Sequence, residues 1–264
     1  MPAASKSAAP SPPRVALIQR PTPLHRLDRL SDQLGIDLWI KRDDLTGFAM
    51  GGNKGRKLEY LLGEALAQGA TAVVTCGSAQ SNFLRHLSIG CAMLKLRCAA
   101  VVMPLPYEDE PASGGLLPEG GNLLLDRLAG CELTMLPNGN WDSLMQAGES
   151  LALQLEAEGE RVYRIPIGGS SVLGARAFVE AASEVGTDWQ HIVTASSSGS
   201  TQTGLVWSFA GTRTKVIGVA CDPEPELVEE FVLLAAGLDS ALRTIKGLRR
   251  EHFNYDLRFV GPGY

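Results

Sequence analysis

Short apolar runs alternate with helical patterns along most of this chain, and the alternation limits the folds it can adopt. The apolar runs lie at residues 72–76, 99–103, 133–136, 162–165, 191–195 and 216–220. Apolar residues at helical spacing fall between them, at 122–128, 141–157 and 174–185. Strands that alternate with helices are typical of parallel sheets covered by helices. The sequence therefore predicts an α/β fold with parallel twisted sheets flanked by helices.

A lysine stands at the start of one predicted helix, directly behind a pair of glycines, in segment 51–59. After Lys54, an amphipathic stripe is formed by Leu58, Leu61, Leu62, Ala65 and Leu66. We expect Asn53 to cap this helix, whose dipole disfavours an ammonium at its start and favours the neutral amine. Lys54 is thus a candidate for Schiff-base chemistry. The alternative is that Lys54, Arg56 and Lys57 are solvated surface cations.

Two further segments combine polar residues with a strand-to-helix turn. Gln80, Ser81 and Asn82 follow the run 72–76 and precede a helical pattern. Simple capping is the alternative to a functional role there. The run 191–195 ends in a loop of serines and glycines before another helix. Exposed N–H groups and a helix dipole attract anions, so segment 198–201 is a candidate phosphate site, although such loops are also simple turns.

Taken together and in this order, segments 51–59, 80–82 and 198–201 closely resemble the D-cysteine desulfhydrase and 1-aminocyclopropane-1-carboxylate deaminase family. The resemblance runs from residues 21–24 to 261–264. It implies a two-domain pyridoxal-phosphate enzyme of the tryptophan-synthase-β fold type, also called fold type II. Residues 14–66 plus 165–264 would form the larger, cofactor-binding domain, and residues 67–164 the smaller one. Residues 1–13, rich in Ala, Ser and Pro, are expected to be a disordered tail.

The resemblance also implies roles for individual residues. Lys54 would form the Schiff base with pyridoxal 5'-phosphate and move protons at the substrate carbon. Asn82 would hydrogen-bond the phenolic oxygen of the cofactor, and Ser81 would lie beside the substrate. Tyr264 matches a family tyrosine near the substrate. The phosphate would be held by Ser198, Gly199, Ser200 and Thr201.

The reaction that the resemblance favours is β-elimination from a small amino acid. Family members continue for several tens of residues past the element at 261–264, so the larger domain is expected to be C-terminally incomplete. Segments 104–107 and 165–174 resemble the desulfhydrase branch, whose reaction on D-cysteine gives pyruvate, ammonia and sulfide. The alternatives are the cyclopropane amino-acid deaminase, which is a hydrolase, a racemase or hydroxyamino-acid dehydratase of the same fold type, and a catalytically impaired pyridoxal-phosphate-binding remnant.

Composition narrows the class of protein. A formal charge of -5 and a pI near 5.5 argue against a nucleic-acid partner. No apolar run reaches the roughly 18 residues that a membrane span needs. The five cysteines lack metal-ligand spacing and are interpreted as reduced core thiols. Composition thus favours a cytoplasmic protein without a metal site, whereas the family resemblance implies a homodimer that acts on a small amino acid.

Three other features have structural rather than catalytic explanations. Lys41 lies in a segment of two bases and two acids, residues 41–44, where mutual pairing is expected. His86 follows Asn82 by one helical turn and is expected to pack, with a general base as the alternative. Residues 222–226 contain three acids and two prolines, a composition that predicts a solvated helix entrance.

Overall fold

A computed structural model describes residues 11–104, 120–137 and 140–261 of the chain. Within these residues the strands are β1 (Leu24–Arg26), β2 (Trp39–Lys41), β3 (Ala72–Ser78), β4 (Arg97–Met103), β5 (Glu132–Met135), β6 (Val162–Arg164), β7 (His191–Ser196), β8 (Lys215–Ala220) and β9 (Asn254–Asp256). The α-helices there are α1 (Asp28–Leu34), α2 (Lys54–Ala67), α3 (Asn82–Leu94), α4 (Gly121–Leu128), α5 (Trp141–Ala157), α6 (Val172–Ser183), α7 (Ser200–Phe209) and α8 (Leu227–Leu242).

The first large sheet joins four parallel strands in the order β5-β4-β3-β6. Successive side chains on a strand point to opposite faces. Val73 and Ala100 lie in an apolar cluster with helices α2 and α3, whereas Val74 and Ala99 pack against α5 on the other face. Because helices cover both faces, β3 and β4 are apolar almost without interruption, as is typical of buried parallel strands.

The second large sheet joins three parallel strands in the order β7-β8-β9. Val216 of β8 packs in one cluster with Trp207 of α7 and Phe231 of α8. Helices α6 and α7 come unusually close at Gly204, where a Cβ atom would lie 2.3 Å from the carbonyl oxygen of Ala175. A glycine at this crossing lets the two helices cover the sheet together.

A small antiparallel pair, β1 and β2, connects the N-terminal segment to the second sheet. Trp39 of β2 makes an edge-to-face contact with Trp189, at 6.0 Å between ring centroids. Pro13, near the start of the described chain, lies against α2 beside Gly63. The N-terminal segment thus packs on the body of the molecule well before β1.

The predicted α/β fold is confirmed, and each predicted strand and helix is present within about two residues of its expected position. Helix α6 begins at Val172 rather than at 174 because Ser171 caps it, accepting a hydrogen bond from the N–H of Gly174 at 3.0 Å. The domain division stays a prediction. The four-stranded sheet lies within residues 67–164, but α2, assigned to the larger domain, shares an apolar cluster with α3. The predicted tail falls mostly on residues 1–10, outside the described residues.

The cysteines of the described chain are all free. Cys91, Cys98 and Cys131 are buried, whereas Cys76 and Cys221 are partly buried. None of the helices in residues 11–104, 120–137 and 140–261 combines the length and apolar character that a bilayer crossing needs.

Candidate functional site

A cleft of about 1710 Å³ runs along β7 to its carboxyl end and is also lined by α3, the helix that follows the carboxyl end of β3. Ligand sites in parallel sheets commonly lie at this end of the strands. The loop before α2, the first turn of α3 and the loop between β7 and α7 all contribute lining residues. Each of the three segments that the sequence singled out therefore contributes to one cleft, although Ser81 and Ser200 are not among the residues that line it.

Lys54 is the first residue of α2 and lines the cleft. Burial lowers the pKa of its amine from the ordinary value of 10.5, and the charges of Cys221 and Asp222 act in the opposite direction. A lowered pKa increases the fraction of neutral amine, which is the nucleophilic form. Desolvation thus adds to the effect of the helix dipole that the sequence predicts.

Residues 49–52 follow a left-handed backbone path that leads into Lys54, with φ between 48° and 117°. A Cβ atom on Gly51 would lie 1.9 Å from the carbonyl oxygen of Asp44, so a larger residue does not fit there. The N–H of Gly52 donates to the carbonyl oxygen of Asp43 at 2.8 Å. The glycine pair therefore forms a fixed turn that aims the start of α2 at the cleft.

The prediction that the Asn53 side chain caps α2 is wrong. Asn53 already has helical φ and ψ, and its side chain makes no capping hydrogen bond. An N-cap side chain reaches the free N–H groups of its helix from an extended backbone, which Asn53 lacks. Its Nδ2 instead donates to Oγ1 of Thr201 at 3.1 Å. Asn53 thus connects the segment of Lys54 to the loop before α7.

The turn at residues 80–82 places Ser81 at the N-cap of α3. Its Oγ accepts hydrogen bonds from the N–H groups of Phe83 and Leu84, both at 3.2 Å. Ser81 therefore caps the helix, and its hydroxyl proton stays available for another acceptor. Asn82 begins α3 and lines the cleft with an exposed side chain.

The loop between β7 and α7 has the form of an anion site. Gly199 is the N-cap of α7 with φ of 89°, and a Cβ atom there would lie 2.0 Å from the ring of Phe231. The Oγ of Ser200 is buried without a hydrogen-bond partner among the described residues. Ser198 and Thr201 line the cleft beside it. Free N–H groups, the helix dipole and an unused hydroxyl can together hold a phosphate.

A family profile described as "Pyridoxal-phosphate dependent enzyme" matches residues 15–256. The chain belongs to this family of pyridoxal-phosphate dependent enzymes. The resemblance noted in the sequence is thereby confirmed at the level of the family.

Curated members of this enzyme family include D-cysteine desulfhydrases that are similar to the chain. The protein from Yersinia enterocolitica is 40% identical over 223 residues, which cover 81% of this chain and 66% of the relative. The protein from Salmonella paratyphi B is 42% identical over 204 residues, which cover 73% of this chain and 59% of the relative. The chain thus spans about three fifths to two thirds of the length of these relatives.

Two solved structures are similar to the chain in fold. A crystal structure described as an ACC deaminase homologue is 32% identical, with a TM-score of 0.82 over 93% of this chain and 73% of that one. Diaminopropionate ammonia lyase from Escherichia coli is 17% identical, with a TM-score of 0.60 over 80% of this chain and 61% of that one. The second likeness concerns the fold alone.

The residues of the cleft fit the cofactor of this pyridoxal-phosphate dependent family. The amine of Lys54 suits the aldehyde, and its lowered pKa favours that reaction. The unused Ser200 hydroxyl and the start of α7 suit the phosphate. The Asn82 amide lines the same cleft as Lys54 and would suit a polar atom of the cofactor ring.

The alternative that Arg56 and Lys57 are surface cations is wrong. Lys57 is only 1% exposed, and its Nζ donates to the carbonyl oxygen of Gly168 at 3.0 Å. Burial and the nearby charge of Lys54 lower the pKa of Lys57 well below its ordinary value. Residues 55–63 of α2 are all buried, so these two side chains lie in the interior although the sequence pattern marks only one apolar face.

Arg56 is the centre of a buried ion cluster beside the cleft. It is 3% exposed and donates to both carboxylate oxygens of Asp43, at 2.7 and 2.8 Å, and to Glu184 at 2.7 Å. Lys41 contacts Glu184 and the carbonyl oxygen of Thr22, each at 2.6 Å. The expected pairing role of Lys41 is thus present, although its acid comes from outside segment 41–44.

A second glycine-rich turn, residues 168–170, supports the candidate phosphate loop. A Cβ atom on Gly168 would lie 2.7 Å from Oγ of Ser198. Ser170 donates a hydrogen bond from its hydroxyl to the carbonyl oxygen of Ser198. The sequence carries a signal for this turn, since two glycines and two serines stand together at 168–171, but the signal does not reveal the contact.

Gln202, in the first turn of α7, connects strands β7 and β9. It is fully buried, its Oε1 accepts from the hydroxyl of Ser196 at 2.7 Å, and its Nε2 donates to the carbonyl oxygen of Asn254 at 2.7 Å. A Cβ atom on Gly218 would lie 2.0 Å from Oε1 of Gln202. One side chain therefore joins the ends of β7 and β9 across β8.

Of the remaining candidates, His86 packs in the interior. It is 1% exposed, its Nδ1 lies 2.7 Å from the carbonyl oxygen of Asn82, and burial lowers its pKa to about 4. Residues 222–226 lead into α8, as expected, but Asp222 is buried rather than solvated. Tyr264 lies outside the described residues. Among those described, no three His, Cys, Asp or Glu side chains form a group able to hold a metal ion.

Proposed function

We propose that the chain is a pyridoxal-phosphate-dependent lyase of the D-cysteine desulfhydrase type, which converts D-cysteine and water to pyruvate, ammonia and sulfide. The observation that carries this proposal is the meeting of Lys54, Asn82 and the loop 198–201 in one cleft. The identity of 40% to a D-cysteine desulfhydrase from Yersinia enterocolitica supports the choice of substrate.

The cofactor, when bound, supplies an electron sink for the carbanion formed at the substrate α-carbon. Lys54 would bind the aldehyde of the cofactor and, once free, would move the proton at the substrate α-carbon. Asn82 would donate a hydrogen bond to the phenolic oxygen of the cofactor. The serines and Gly199 of the loop, with Thr201, hold its phosphate through N–H groups and hydroxyls.

Ser81 is proposed to act beside the substrate, because its hydroxyl keeps a free proton while its oxygen caps α3. Tyr264 is proposed to act near the substrate on the strength of the family resemblance. Residues 14–66 plus 165–264 and residues 67–164 are proposed as the two domains, a division supported by the separate large sheets of the two segments.

The test is the absorbance spectrum of the purified chain with pyridoxal phosphate, before and after D-cysteine. We expect a visible band that is lost in Lys54→Ala and kept in Lys215→Ala, an exposed lysine on β8. Pyruvate and sulfide should appear together with a shift of the band. A band that requires Lys54 without either product would indicate a cofactor-binding remnant. Absence of the band in the unmutated chain would refute the proposal.

The second candidate is deamination of 1-aminocyclopropane-1-carboxylate. The observation that favours it is the TM-score of 0.82 to a structure described as an ACC deaminase homologue. The two candidates differ in their products, since the deaminase releases ammonia without sulfide. Parallel assays with the two amino acids, each with Lys54→Ala as the blank, decide between them.

We also propose a cytoplasmic homodimer. The free cysteines of the described chain suit a reducing compartment. An apolar patch on and after α1 is formed by Leu30, Leu34 and Ile36, which are 42 to 55% exposed. Exposed apolar patches of this kind are commonly buried at protein–protein interfaces. Sedimentation at several protein concentrations tests the dimer, and a mass of one chain at all of them would contradict it.

A further inference from the structure

The amide of Asn82 is held in one orientation by its neighbours. Its Oδ1 accepts hydrogen bonds from Nη1 of Arg85 at 2.9 Å and from Nδ2 of Asn122 at 3.2 Å. A guanidinium can only donate, so the atom of Asn82 that faces Arg85 must be the oxygen. Its Nδ2 then has no hydrogen-bond partner among the described residues and stays free to donate in the cleft.

The orientation of Asn122 is fixed by the same logic. Its Nδ2 donates to the carbonyl oxygen of Gln80 at 2.7 Å, and a carbonyl can only accept. Its Oδ1 accepts from Nη1 of Arg85 at 3.0 Å. A carbonyl at one end and a guanidinium at the other thus set the direction of every hydrogen bond in this chain of amides.

The position of Asn122 is itself anchored at the start of α4. Its backbone N–H donates to Oε1 of Gln80 at 2.8 Å, and Nε2 of Gln80 donates to the carbonyl oxygen of Gly120 at 3.2 Å. A Cβ atom on Gly121 would lie 2.5 Å from Oε1 of Gln80. Gln80 therefore holds the first turn of α4 against the turn that carries Asn82.

We propose that Arg85 and Asn122 are positioning residues that keep the N–H of Asn82, rather than its oxygen, directed at the phenolic oxygen of the cofactor. This inference rests on the proposed function. A donated N–H stabilises the ionised phenolic oxygen, whereas a facing amide oxygen requires a proton between the two atoms. Arg85 and Asn122 thereby influence the ionisation of the cofactor through the orientation of Asn82.

The experiment records the spectrum of the pyridoxal-phosphate-loaded chain against pH for Asn122→Asp. An aspartate there cannot donate to Asn82 or to Gln80, and its carboxylate competes for the N–H of Asn82 while Arg85 alone still holds the oxygen. The fraction of molecules in which the Asn82 oxygen faces the cleft should therefore increase. We expect the visible band to decrease in favour of a near-ultraviolet band. We also expect cofactor binding to weaken by roughly tenfold, the size of one lost hydrogen bond to a charged group.

Two matched variants calibrate this result. Asn82→Asp places an oxygen at the cofactor directly, so its spectrum should shift in the same direction and by more. Asn140→Asp makes the same chemical change at the exposed N-cap of α5, outside the cleft, and should leave the spectrum unchanged. Thermal unfolding of each variant without cofactor separates a loss of folding from a change of orientation.

A second pair of variants tests the other anchor. Arg85→Lys keeps a group that only donates, whereas Arg85→Gln introduces one that also accepts. The lysine variant should therefore keep more of the visible band than the glutamine variant. This pair decides the question if Asn122→Asp fails to fold.

The outcomes separate this inference from the proposed function. A visible band in the unmutated chain that shifts in Asn122→Asp and not in Asn140→Asp supports the inference. An unchanged spectrum in Asn122→Asp or in Asn82→Asp, or a larger loss in Arg85→Lys than in Arg85→Gln, overturns it and leaves the proposed function standing. No visible band in the unmutated chain overturns both.

Discussion

Replacing Glu184 with glutamine removes the negative charge that lies between two cations, Lys41 and Arg56. The Glu184 side chain is 11% exposed and accepts from Nζ of Lys41 at 2.6 Å and from Nη1 of Arg56 at 2.7 Å. Burial alone would raise the pKa of Glu184, but the hydrogen bonds from Arg56 and Lys41 outweigh it and lower the pKa from 4.5 to about 2.

The lowered pKa gives the size and the pH dependence of the effect. Because the folded carboxyl group binds its proton less tightly than the unfolded one, its contribution to stability is present above pH 4.5 and is lost as the pH falls toward about 2. At about 1.4 kcal/mol for each tenfold change in proton affinity, it amounts to about 3 kcal/mol at neutral pH and to less than about half of that at pH 3.

The assay is urea unfolding followed by tryptophan fluorescence at pH 7 and at pH 3. Glu184→Gln should lower the free energy of unfolding by about 3 kcal/mol at pH 7 and by clearly less at pH 3. The control is Glu229→Gln, because Glu229 and its partner Arg250 are both exposed. This substitution should lower the free energy of unfolding by less than about 1 kcal/mol at either pH. A loss below about 1 kcal/mol at pH 7, or equal losses at both pH values, would refute the reasoning.

Three further changes have predictable results. Gly199→Ala places a Cβ atom 2.0 Å from the ring of Phe231, so it should cost more than about 2 kcal/mol and abolish cofactor binding, as measured by thermal unfolding and by titration with pyridoxal phosphate. Burial raises the pKa of Asp126 to about 6, so the wild type loses stability as the pH rises through 6. Asp126→Asn should therefore be more stable than the wild type by up to about 3 kcal/mol at pH 8 and about equally stable at pH 4. The same difference in the free energy of urea unfolding between variant and wild type at both pH values would contradict this. Ser81→Ala should cost about 1 kcal/mol by loss of the cap, whereas Ser81→Asp should keep the cap; turnover that survives in Ser81→Asp would remove the hydroxyl from the mechanism.

The sequence predicts the fold well because its signals are local. The continuous apolar run at 72–76 requires a strand covered on both faces, and the stripe after Lys54 requires a helix, whatever the rest of the chain does. The positions of strands and helices, which depend on neighbours close in sequence, are therefore predicted correctly.

The contacts that the sequence does not predict join residues far apart along the chain. Asparagine commonly caps helices, but the side chain of Asn53 is hydrogen-bonded to Thr201, 148 positions later. Lys57 belongs to a residue type that is usually exposed, but it is buried, and its Nζ donates to the carbonyl oxygen of Gly168, 111 positions later. The direction of the Asn82 amide depends on Asn122, which lies on another helix. Each outcome is decided by packing that no local pattern contains.

The close approach of Gln202 to Gly218 restricts which substitutions homologous proteins can accept at these two positions. Any side chain at 218 would overlap the amide that joins the ends of β7 and β9. A substitution at 218 is therefore tolerated only after residue 202 has become smaller, and a smaller residue at 202 removes the connection between the strands. We expect the two positions to be inherited as a pair, with intermediates eliminated by loss of the folded state.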